Sequence, residues 1–121
     1  MYIIQQQILK LEDGKMSRLS ITAIVIAHNT QGIYACINSI MRQIDENDEI
    51  IIVDDHSNDE YLNRLTQYCM SNKIMLIQAD TCGNRARNRN LGAIQASNDI
   101  LLFIDADMVI LQKTISAIKK A

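Results

Sequence analysis

The sequence predicts an α/β fold, a three-layer α/β/α sandwich on a mainly parallel sheet. Three observations lead there. Apolar runs recur four times after residue 19, the first of them β-branched, and read as strands buried on both faces. The segments between them place their apolar residues at helical spacing. Strands buried on both faces and separated by helices must pair in parallel, with helices covering the sheet.

Residues 1–19 stand outside this alternation and read as an N-terminal extension, a short strand or helix ahead of a domain over residues 20–121. "SITAIVIAHN" (20–29) is the first buried strand. In "TQGIYACINSIMRQI", Ile33, Cys36, Ile37, Ile40, Met41 and Ile44 share one helical face. A polar turn leads to a second strand, Glu49 to Asp54, and then to a polar loop. "DEYLNRLTQYCMSN" puts Tyr61, Leu62, Leu65, Tyr68 and Cys69 on one side of a second helix. "KIMLIQAD" is a third strand, and "NRARNRNLGAIQASN" a helix despite Gly92. "DILLFIDAD" is the fourth strand, followed by a helix in "LQKTISAIKKA" whose final lysines suit the dipole. Right-handed crossovers make the sheet doubly wound.

At 121 residues, with 48% hydrophobic and 21% charged side chains, the chain suffices for one domain with a proper core. A net charge of −2 gives no electrostatic case for a nucleic acid or an anionic membrane. No apolar run approaches the roughly 20 residues of a bilayer span, and the N-terminus lacks a signal-peptide core. These features point to the cytoplasm. Cys36, Cys69 and Cys82 are odd in number and match no knuckle or CxxC spacing, so they read as reduced thiols. With no proline and four glycines, no linker is signalled.

An open parallel sheet binds ligands beyond the carboxyl ends of its strands. Here those ends carry Ala27-His28-Asn29, Asp54-Asp55 and Asp105-Ala106-Asp107, and the third strand runs into Arg85, Arg87 and Arg89. Of the three arginines, two read as solvated positions on one helix. Asp54 reads as a cap for its own turn, and His56 has no evident partner. Residues two apart in an extended chain face the same way. Asp105 and Asp107 would then repel each other unless a cation lies between them, and such oxygen donors suit Mg²⁺ or Mn²⁺. The ion would also draw a diphosphate to an acidic edge. "AHNTQG" supplies no GxGxxG, there is no GxxxxGK[ST], and the acids follow the second and fourth strands rather than the first and third of a phospho-receiver domain.

Five pieces, in order, resemble family 2 glycosyltransferases of the GT-A fold: "ITAIVIAHN", "ACINSIMRQ", "DEIIIVDDHSND", "GNRARNRNLG" and "DILLFIDAD". The resemblance covers about residues 20–110 and corresponds to the N-terminal, nucleotide-sugar-binding half of that family. It implies a nucleotide-diphospho-sugar donor, commonly a UDP-sugar. It further implies that Ala27 and His28 flank the base in a loop ending at Asn29, and that Asp55 accepts a hydrogen bond from the base. Arg89 would face the diphosphate. Asp107 would ligate Mn²⁺ or Mg²⁺, with Asp105 on the ribose or sharing the metal.

The sequence departs from the family at His28, where tyrosine is commonest, and at Met108, where another aspartate often stands. Asn88 replaces a frequent alanine, and Ser97-Asn98 the usual glycine. The resemblance also implies an acceptor half that supplies the catalytic base. Only one helix follows the Asp-x-Asp strand here, so that base is expected from a C-terminal acceptor domain or a partner chain, and transfer by the chain alone is not expected. The alternative is a non-catalytic nucleotide- or partner-binding module with the same fold. The resemblance is compatible with a cytoplasmic protein peripheral to the membrane.

Overall fold

The computed structural model describes residues 19–120, together with the backbone of Leu11–Glu12 and Lys15–Met16. Those last two segments, β1 and β2, form an antiparallel pair with Leu11 opposite Met16. The remainder of the extension read over residues 1–19 lies largely outside the described residues.

The domain alternates as the apolar pattern dictates: β3 (Ile21–Ala27), α1 (Ile33–Met41), β4 (Glu49–Asp54), α2 (Asp59–Ser71), β5 (Met75–Gln78), α3 (Arg85–Gln95), β6 (Ile100–Asp105) and α4 (Thr114–Lys120). All four long strands are parallel, in the order β5-β4-β3-β6. The chain winds outward from β3 through β4 to β5, then returns to β6 on the other side of β3. The crevice outside the ends of β3 and β6 is therefore the switch point, where such sheets bind ligands.

Strand residues alternate between two cores. Ile21, Ala23, Val25 and Ala27 of β3, with Ile50 and Ile52 of β4 and Leu102 of β6, join Ile33, Ile37 and Ile40 of α1, Leu65 of α2 and Ile115 of α4. Ile24, Ile51, Val53 and Phe103 face the other way, toward Leu91 and Ala93 of α3. Helices thus cover both faces, and the helical stripes read from the sequence are the packed ones except at Leu62, which joins neither core.

Gly92 is explained by this packing. A Cβ there would stand 2.6 Å from Ile24 Cγ2, so glycine lets α3 lie close against β3. Asn58 and Asn84 cap α2 and α3, accepting from the backbone N–H groups of Tyr61 (2.9 Å) and Arg87 (3.0 Å). Among the described residues, no helix is long and apolar enough to cross a membrane.

Candidate nucleotide and cation site

A cavity of about 550 Å³ opens at the switch point. That volume is within the range of small-molecule sites. Its walls include His28 and Thr30 after β3, Asp55 after β4, Gly83, Arg85 and Arg89 at the start of α3, and Asp105 and Asp107 at the end of β6.

Asp55 is the best-held side chain in it. Its backbone N–H donates to the Ala27 carbonyl at 2.7 Å, carrying the ladder past the end of β4. Its carboxylate, only 8% exposed as a residue, receives the Gly83 N–H at 3.1 and 3.2 Å on its two oxygens. His56 Nδ1 lies 3.2 Å from Oδ1. Desolvation pushes the carboxyl upward, but the Gly83 N–H and the imidazole of His56 outweigh it, and Asp55 is held below the usual aspartate range. The loops that achieve this turn through three left-handed residues: Asn29 (φ 49°) and His56 (φ 56°), where that backbone is costly, and Gly83 (φ 72°), where glycine adopts it freely.

His28 is fixed by the same loop. Its Nδ1 lies 2.6 Å from the Asp55 carbonyl oxygen. A carbonyl can only accept, so Nδ1 carries the proton and donates. Asn29, expected near a nucleotide, does not line this cavity. It buttresses the loop instead, its N–H donating to Ser57 Oγ (2.9 Å) and its side-chain oxygen accepting from the Asn58 N–H (2.8 Å). Ala27 is fully buried and contributes its carbonyl to Asp55 rather than a cavity wall. Asp54 accepts from the Ser57 N–H at 3.2 Å, the turn-capping role read from the sequence.

Asp105 and Asp107 both line the cavity, but not by the extended geometry expected. β6 ends at Asp105, and the chain turns, with the Met108 N–H donating to the Asp105 carbonyl at 3.0 Å. The two carboxylates nonetheless act on one neighbour. Burial, then Asp107, then Asp105, push the Cys36 thiol beneath the turn up to about 11. α1 and the turn after it steady the segment beyond: Ser39 Oγ accepts from the Ile110 N–H at 3.1 Å, and Gln43 donates to the Leu111 carbonyl at 2.7 Å and accepts from the Ile115 N–H at 3.0 Å. An all-oxygen pair of exposed aspartates fits a hard divalent ion such as Mg²⁺ or Mn²⁺.

Two of the three arginines, Arg85 and Arg87, are exposed, and Arg89 is half-buried. Arg85 and Arg89 both line the cavity, and Arg89 lies over the Phe103 ring, 5.9 Å from its centroid. Arg87 points away to Asp80, pairing Nε with Oδ1 at 2.7 Å and Nη2 with Oδ2. Positions 85 and 89 are one helical turn apart, which is the signal that could have paired them. The sequence reading also missed Gly83, whose role is a backbone N–H.

The profile of the family described as Glycosyl transferase family 2 matches residues 22–121. Glycosyltransferase GlyG of Streptococcus pneumoniae serotype 4 (strain ATCC BAA-334 / TIGR4) is 25% identical over 104 residues, which are 85% of this chain and 35% of GlyG. Among solved structures, S. aureus TarS 1-349 superposes with a TM-score of 0.70 at 28% identity, over 82% of this chain and 31% of that one. The same protein has been solved with UDP-GlcNAc. The mannosyltransferase PcManGT of Pyrobaculum calidifontis, solved with GDP-Man and Mn²⁺, shares the fold with a TM-score of 0.75 at 20% identity, over 87% of this chain and 33% of its own. The chain spans about a third of the length of these relatives. With its family profile matched over residues 22–121 and a doubly wound parallel sheet of the GT-A kind, this chain belongs to glycosyl transferase family 2.

Proposed function

We propose that residues 20–121 bind a nucleotide-diphospho-sugar, with a UDP-sugar favoured, as the donor subdomain of a glycosyltransferase. The observation that carries this reading is one cavity lined by Asp55, by Arg85 and Arg89, and by Asp105 and Asp107. It offers an acceptor for a base, cations for phosphate and a carboxylate pair for a metal. Relatives solved with UDP-GlcNAc or with GDP-Man and Mn²⁺ support it.

Asp55, kept ionised, is a hydrogen-bond acceptor for an imide N–H such as that of uracil. His28, tied through Nδ1–H to the Asp55 carbonyl, offers a fixed ring as a wall for the base. Arg85 and Arg89 supply positive charge toward the diphosphate. Asp105 and Asp107 would hold Mn²⁺ or Mg²⁺. Such an ion acts as a Lewis acid on the departing diphosphate. The base that deprotonates the acceptor hydroxyl comes, in this reading, from an acceptor domain or partner chain. The compartment that fits is the cytoplasm, at most peripheral to the membrane.

Calorimetric titration of UDP tests the proposal. Binding is expected to tighten with Mn²⁺, and Asp107→Ala is expected to abolish that dependence. No binding, or binding indifferent to metal in the unmodified chain, would defeat it. Sugar transfer from UDP-sugars by these 121 residues alone is expected to be negligible.

A further inference from the structure

At the edge of the cavity, two side chains that this reading leaves without a role, His56 and Cys82, meet Asp55. Asp55, His56 and Cys82 each bring one ligand atom — carboxylate oxygen, ring nitrogen and thiol sulfur — within 4.8 Å of one another. Asp55 Oδ1 and His56 Nδ1 are already 3.2 Å apart. That is close to the separation of two ligands on a tetrahedral zinc ion with bonds of about 2.0–2.2 Å. His56 is held beside Asp55 by its left-handed backbone, and Cys82 is exposed on the loop between β5 and α3.

We propose that Asp55, His56 and Cys82 form a second cation site, for a borderline-soft ion such as Zn²⁺, that withdraws Asp55 from the nucleotide base. The cation site stands on the cluster itself; the inhibitory consequence rests on the nucleotide-binding reading above. The donor chemistry separates the two metal positions. Thiolate and imidazole select Zn²⁺, whereas the all-oxygen pair Asp105 and Asp107 suits Mg²⁺ or Mn²⁺. Three protein ligands leave a fourth position for water. One Asp55 oxygen can keep the Gly83 N–H while the other meets the ion, so the loop need not unfold.

The test uses the full chain and Co²⁺ as a spectroscopic substitute. Co²⁺ is expected to produce a near-ultraviolet thiolate-to-cobalt charge-transfer band. Cys82→Ser should lose that band. His56→Asn, which tolerates the left-handed backbone, should weaken cobalt binding by about tenfold or more. An absent band, or one that survives in Cys82→Ser, overturns the site. UDP titrations at saturating Mn²⁺ then test the consequence. Zn²⁺ is expected to raise the UDP Kd by about tenfold in the unmodified chain and much less in Cys82→Ser, which binds UDP normally without Zn²⁺. Equal Zn²⁺ inhibition of both proteins means displacement of Mn²⁺ at Asp105 and Asp107, and overturns the inhibitory role. Failure of UDP to bind under any condition sinks the nucleotide reading and the inhibitory role together, while the cobalt spectra judge the cation site independently.

Discussion

The backbone N–H of Gly83 lies between the two carboxylate oxygens of Asp55, 3.2 Å from Oδ1 and 3.1 Å from Oδ2. It can do so because Gly83 adopts φ 72°. A Cβ at this position would meet nothing within 4 Å, so the barrier to substitution is backbone strain alone. Gly83→Ala is therefore expected to cost about 1–2 kcal/mol in urea unfolding. Asp55 titrates below its ordinary 3.8 in the folded chain. A depressed folded pKa stabilises above the unfolded value, and that contribution is lost as pH falls through the folded one. Carbon-13 NMR of the Asp55 carboxyl should show a midpoint under 3.8 that moves upward in Gly83→Ala. A midpoint at or above 3.8 in the unmodified chain would contradict the geometry.

The arginines of α3 should separate by helical phase. Arg85→Ala and Arg89→Ala are each expected to weaken UDP binding in Mn²⁺ by about tenfold or more, the loss of a charge-assisted contact. Arg87→Ala should change it little, since its partner is Asp80 and both are about half exposed. Calorimetry on the three variants decides this, and a larger effect at Arg87 than at Arg85 would reverse the assignment.

Gly92→Ala places a methyl group where helix propensity alone would welcome it, by about 1 kcal/mol. The contact with Ile24 Cγ2 at 2.6 Å should win, for a net loss of about 1–3 kcal/mol. Adding Ile24→Leu, which removes Cγ2, should return part of that stability. Thermal unfolding of the single and double variants measures both, and a stabilised Gly92→Ala would refute close packing of α3.

The layered fold was legible because its signal is periodic. Runs such as "ITAIVIA" and "EIIIVD" are apolar at odd and even positions alike, which only a sheet covered twice requires. The position of Asp55 was legible for a related reason, since it follows directly on such a run. What the sequence concealed depends on how loops turn. Asn29 and Asp107 each sit two residues past a strand end, yet Asn29 braces the neighbouring loop while Asp107 reaches the cavity. The Gly83 contribution is a main-chain donor with no side-chain signature. Arg85 and Arg87 are chemically identical, and only the pitch of α3 and the presence of Asp80 distinguish them.

β6 is the outermost rung on its side of the four-stranded sheet. Among the described residues, its sequence ILLFID meets a neighbour, β3, along one flank only. Main-chain donors and acceptors on a bare, apolar margin recruit whatever strand arrives first. Concentrated preparations of this chain are therefore expected to keep best when that margin is shielded by a grafted strand.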